Sequence, residues 1–240
     1  QRRFDAWKQS KQNAVNADKA AMASKKEEEA KARLAAEQAV NKAKADAVAQ
    51  KKAELAAAKA EAEAAAAFEF NKRYIEVAAL LGAETILLVP GATKGLDPAA
   101  PVRTYKSVWD KSVAALKKLA VIAEKHNVNI GVENVWNRFL LSPMEWKYFL
   151  EEINSPFVGI YLDVANTQYQ LPAEDYVEIL GDKVKAVHVK NYKKSGDWGC
   201  VLDFGEDILD GDVNFDNIIA ALNKIGYKGA FTAEMIPFSR

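Results

Sequence analysis

Glycine and proline are absent from the first 67 residues of this 240-residue chain, which removes the usual helix breakers from that stretch. Cysteine occurs once, as Cys200, so no intramolecular disulfide can form and nothing calls for an oxidising compartment, a usage that fits the cytoplasm. An excess of either charge is missing too. The 33 basic residues face 33 acidic ones, which argues against a protein built to hold nucleic acid. No apolar run approaches the roughly 20 residues that a membrane-spanning helix needs. The N-terminus also lacks the charged, apolar and small-residue succession of a secretory signal, so no membrane is expected as a partner. The chain opens on Gln1 rather than methionine and reads as a processed product or a piece of a longer chain.

What is present changes character near residue 67. Residues 1–67 are dominated by Ala, Lys, Glu and Gln, strong helix formers with hardly any β-branched residues among them. The segment therefore reads as a long helical arm. Ser24 and Glu27 have capping-box spacing and predict a break near Met22 to Ser24. Leu34, Asn41, Val48 and Leu55 share one heptad position, but their companions are Lys, Glu and Gln, too thin a stripe for a coiled coil.

Residues 68–240 alternate between two periodicities. Phe70, Tyr74, Val77, Ala78 and Leu81 recur at helical spacing, with Gly82 placed to end that helix. A strand follows at Thr85 to Val89, a loop over Pro90 to Pro101, and an amphipathic helix over Tyr105 to Lys125 that turns Val108, Val113, Leu116, Leu119, Ala120 and Ile122 inward. The next strand ends on Glu133. Ser142, Pro143 and Glu145 then supply an N-cap, a proline at the first helical position and a capping-box acid. Further strands close on Asp163, His188 and Glu234, with helices predicted near Ala173 to Leu180 and Asn214 to Ile225. Between the last two strands lies a loop with Gly196, Gly199, Gly205 and Gly211.

Continuous apolar strands alternating with helices imply a parallel sheet covered by helices. All strand C-terminal ends then point the same way, so the four strand-end residues converge on one rim, as at the active end of a (β/α) barrel. A doubly wound open sheet is the competing architecture, but Thr85 to Thr93 makes a poor phosphate loop.

The motifs LLGAETILLVPG (80–91), VENVWNRFLLSP (132–143), YLDVAN (161–166), AVHVKN (186–191), GDVNF (211–215) and GYKGAFTAEM (226–235) resemble the sugar-phosphate isomerase/epimerase family of xylose-isomerase-like barrels. The resemblance implies a divalent metal held by Glu133, Asp163, His188 and Glu234, with Glu133 and Glu234 as the acid/base pair acting on a sugar or sugar phosphate. Residue chemistry agrees. Clustered carboxylates repel one another unless a cation sits among them, and an oxygen-rich set with one imidazole suits Mn²⁺ first, then Mg²⁺, Co²⁺ or Zn²⁺. Trp136, Asn137, Arg138, Asn166, Lys190 and Lys194 follow the ligand strands and are the candidate substrate contacts. Lys193 is a further candidate, for a phosphate. His126 falls at the opposite rim and reads as structural. With only two histidines in the chain, the trinuclear zinc cluster of the related abasic-site endonucleases is excluded.

Only five strands are legible where a barrel needs eight. The fold class expected is α/β, a (β/α) TIM-barrel-like sheet holding the fourth to eighth strands, with domains at 1–67 and 68–240. Such a sheet has two open edges, which a helix, a homo-oligomer or a partner chain is expected to cover. The chain therefore reads as a truncated, fused or engineered relative. The alternative function is a non-catalytic structural or interaction protein carrying a barrel remnant.

Overall fold

The computed structural model describes residues 1–94, 102–168, 170–194, 204 and 207–234. Cys200, Gly196, Gly199, Gly205 and the loop segment 95–101 lie outside the described residues. By internal contacts the chain divides into two units, Gln1–Ala65 and Ala66–Arg240.

Helix α1 spans Arg2–Leu80. In the first unit every residue is exposed, and the helix is held by its own backbone with local pairs such as Lys31 to Glu27. The expected break near Ser24 is absent. Ser24 lies inside a run of strong helix formers with neither Gly nor Pro nearby, so its capping potential is overridden by continued helical propensity. No helix among the described residues is long and apolar enough to cross a membrane.

The second unit is a five-stranded parallel sheet in the order β1 (Thr85–Leu88), β2 (Asn129–Glu133), β3 (Val158–Asp163), β4 (Val184–Val189), β5 (Phe231–Ala233). Helices α2 (Tyr105–His126), α3 (Pro143–Ile153), α4 (Ala173–Leu180) and α5 (Phe215–Lys224) make the crossovers. Five strands in sequential order with a helix in each of the four connections form part of a (β/α) barrel. Among the described residues β1 and β5 each have a strand neighbour on one side only.

Local signals account for the helix boundaries. Thr104 caps α2 by accepting from the Ser107 amide at 3.2 Å, and left-handed Asn127 ends it. Ser142 and Glu145 form the reciprocal capping box of α3, with Pro143 in the first turn. The core runs between helices and sheet. Trp146, Phe149, Ile130, Ile160, Leu162, Val187 and Ile218 are all nearly inaccessible to solvent. On α2 the buried stripe includes Ala123 rather than Ile122, which is only partly covered. At the end of α1, Ile75 and Ala78 are the buried residues, while Phe70, Tyr74, Val77 and Leu81 are exposed. Among the described residues the sheet stops at β1, and no further strand covers the stripe that looked apolar by spacing.

One irregularity decides how the strand ends face each other. Ile160 pairs with Val184, but the next pair is Tyr161 with Ala186, so β4 carries one extra residue, Lys185. A one-residue shift exchanges the two faces of a strand. Below the bulge, continued pairing would set Asp163 against Val187; above it Asp163 sits opposite His188. The same approach brings Lys183 O to 2.0 Å from where a Cβ on Gly159 would lie. Gly159→Ala must push β3 from β4 and is expected to destabilise the protein by about 1–3 kcal/mol, as overpacking does. Urea unfolding followed by circular dichroism measures this, and an unshifted midpoint would refute the close approach.

Candidate metal centre at the strand ends

Glu133 and Asp163 are the last residues of β2 and β3, His188 is the penultimate residue of β4, and Glu234 follows β5 directly. Parallel pairing puts all four on one rim. One ligand atom from each lies within 4.8 Å of the others. His188 Nδ1 is 2.8 Å from Glu133 Oε1 and 3.7 Å from Glu234 Oε2. Glu133 and Asp163 are buried, whereas the Glu234 side chain is 37 % exposed on the edge strand.

Asp163 is the most constrained member. Its Oδ1 accepts from the backbone amides of Ala165 and Asn166, at 2.9 and 2.8 Å. Its Oδ2 is buried and carries no hydrogen bond, although Lys190 Nζ stands 3.0 Å away as an ion-pair partner. Three carboxylates and one imidazole, with one ligand atom of each within 4.8 Å of the others, make a donor set that fits a cation. Burial pushes the Asp163 carboxyl up to about 6, with Lys190 and the Asn166 amide opposing. Burial acts the same way on Glu234, but there the Lys190 hydrogen bond and the nearby positive groups outweigh it and hold the carboxyl below its ordinary range. For His188, burial is overcome by the hydrogen bond to Glu133 and the surrounding carboxylates, so its pKa is raised.

Lys190 belongs to this cluster more closely than its place after β4 suggested. It is buried, with Nζ 2.7 Å from Glu234 Oε2 and 4.6 Å from the centre of the Phe204 ring. Asn137 and Asn166 are also committed to the protein. The Asn137 amide donates to Gly91 O and accepts from Phe139 N, tying the loop after β1 to the loop after β2. Asn166 donates to Asn134 O, and its own carbonyl accepts from Trp136 Nε1. Trp136 packs against Tyr192 and Phe204, with ring centres 5.7 and 5.1 Å apart. The Arg138 and Lys194 side chains are exposed, and the exposed Lys193 pairs with Asp210 at 2.7 Å. His126 ends α2, at the far end of β2 from Glu133.

Two residues of the site escaped the pattern of strand-end ligands. Asn134 donates to Asp163 O and accepts from Asp163 N, at 2.9 and 2.8 Å, so its amide clamps the backbone of Asp163 from both sides. Tyr161 lies two residues before Asp163 on the same strand face, which strand alternation could have signalled. Its ring packs on His188 at 4.3 Å, and its hydroxyl donates to Thr232 Oγ1. Gly131 leaves room for it, since a Cβ there would approach Tyr161 Cβ to 3.0 Å.

The family model for the xylose isomerase-like TIM barrel matches residues 10–238. L-ribulose 3-epimerase of Methylomonas sp. is 28% identical over 175 residues, 69% of this chain and 54% of that protein. SgbU of Haemophilus influenzae, whose name offers L-ribulose-5-phosphate 3-epimerase as its activity, is 27% identical over 177 residues, 70% of this chain and 57% of that one. The chain thus spans about half the length of the curated relatives it matches. The IOLI protein, solved with a bound zinc atom, shares the fold with a TM-score of 0.58 at 20% identity, over 70% of this chain and 59% of that one.

The Asn134 clamp is testable by itself. Asn134→Ala leaves a buried amide and carbonyl of Asp163 without these partners, and a loss of about 1–3 kcal/mol is expected. Chemical unfolding reads the change, and full retention of stability would show that the clamp holds nothing.

Proposed function

The chain belongs to the xylose isomerase-like TIM barrel family, and from that membership we propose a divalent-metal-dependent isomerase or epimerase of a ketose or ketose phosphate. The observation that carries this reading is the gathering of Glu133, Asp163, His188 and Glu234, with one ligand atom of each within 4.8 Å of the others. These four would hold the ion, and their oxygen-rich chemistry suits Mn²⁺ ahead of Mg²⁺, Co²⁺ or Zn²⁺. When bound, the ion would supply a Lewis acid for a ketose carbonyl and for the charge that develops beside it.

The protein's own groups move the proton. Glu234 is partly exposed and has its Oε2 held by Lys190, so it can meet a substrate C–H next to the carbonyl as a base. Glu133, bonded to His188, provides a second carboxyl from another strand end. Removal of the proton from one face and return to the other inverts the carbon, an epimerisation; return to the neighbouring carbon gives an isomer. We assign Trp136 to the pocket wall and Arg138 and Lys194 to the outer end of the substrate. Asn137 and Asn166 act as scaffold, because their amides are already engaged.

The half-length match to the relatives favours a second reading, in which the same cluster holds a metal without turnover. Deuterium exchange separates the two. With Mn²⁺ in D₂O, the protein is expected to load deuterium next to the carbonyl of one member of a panel of pentuloses, hexuloses and their phosphates, as followed by NMR. Glu234→Gln should slow exchange by at least about 100-fold, because an amide cannot accept the proton. Elemental analysis after dialysis should find one ion per chain, lost in His188→Ala. A protein that holds the ion and exchanges no substrate proton establishes the second reading, and one that holds no ion refutes both.

A further inference from the structure

Three carboxylates carry more negative charge than one divalent ion balances, and Lys190 makes up the difference. Its Nζ lies 3.0 Å from Asp163 Oδ2 and 2.7 Å from Glu234 Oε2, and its side chain is 5% exposed. Among the described residues, Lys190 and His188 are the only ion-pair partners of Glu133, Asp163 and Glu234. An imidazole that binds a metal is neutral. The three carboxylates with Lys190 therefore sum to two negative charges, which one divalent ion cancels.

We propose that Lys190 sets the charge selectivity of the centre: its ammonium matches the ligands to a divalent cation, and its removal shifts them toward a trivalent one. The inference rests on the metal reading given above. Affinity in carboxylate sites follows the count of ligand charges, and a fixed charge in buried surroundings is screened far less than one in water. Lys190 is placed for that role because both of its close polar neighbours belong to the ligand set. Its ammonium stands 4.6 Å over the Phe204 ring, which keeps the charge beside the centre.

The full chain, stripped by a chelator, is titrated separately with Mn²⁺, read by loss of the free-ion resonance signal, and with Tb³⁺, read by luminescence excited through the protein's aromatic residues. Lys190→Met keeps an unbranched side chain of similar length, whose sulfur can make a favourable contact with the Phe204 ring, and removes the charge. The ratio of Tb³⁺ to Mn²⁺ association constants is expected to rise at least tenfold there, with Lys190→Gln shifting in the same direction. A ratio within threefold of the parent, in variants that keep the parent's circular dichroism, overturns the role of Lys190 and leaves the metal reading standing. A parent chain that takes up neither ion overturns the metal reading, and this inference with it.

Discussion

Mutual repulsion among three carboxylates is the constraint on which the site depends. Glu133, Asp163 and Glu234 reach one small volume, two of them buried, and isolated like charges there would drive protons onto one another. Lys190 and His188 counter part of that repulsion through contacts of 2.7 to 3.0 Å. The rest of the arrangement fixes the carboxylates against it. Asn134 grips the Asp163 backbone while the Ala165 and Asn166 amides take one carboxylate oxygen, leaving the other turned toward the cluster. A carboxylate set held in this way would need little reorganisation to accept a cation.

The scaffold earns this convergence through parallel pairing. All five strands run toward the rim that carries Glu133, Asp163, His188 and Glu234, and each crossover helix returns the chain to the start. Around the carboxylate rim, side chains rather than regular structure tie the described loop residues together. Asn137 ties two of them together, and Arg138 and Leu140 take left-handed backbone conformations to make the turn into α3. The edge strand β5 is short and exposed along its length, so Glu234 is held from the side, by Lys190, more than by burial. Glu133 and Asp163 sit on inner strands paired on both sides. The difference in exposure between the two glutamates follows from where their strands fall in the sheet.

Much of the second unit was legible in the chain itself. Apolar runs bounded by turn residues mark all five strands, and the Ser142, Pro143 and Glu145 signature marks the start of α3, because these signals act within a few residues. Helix α1 was misread in two respects. The Ser24 capping signal was outvoted by its neighbours, and the stripe through Phe70 and Tyr74 stays exposed because spacing reports which residues share a face, not whether anything lies opposite. Lys190, expected as a substrate contact, is paired with two carboxylates, which strand spacing alone does not report.

By itself the sequence determined the strand and helix order, the parallel sense of the sheet and the identity of the four residues at its C-terminal rim. These follow from periodicity and from the chirality of strand, helix, strand connections, which are local or general rules. Only the tertiary structure decided the bulge at Lys185 that sets Asp163 opposite His188, the Asn134 clamp, the place of Tyr161 over Gly131 and the incorporation of Lys190 into the carboxylate cluster. Each of these depends on a distance between residues far apart in the chain, and a one-residue change of register would have moved every such partner to the other face of the sheet.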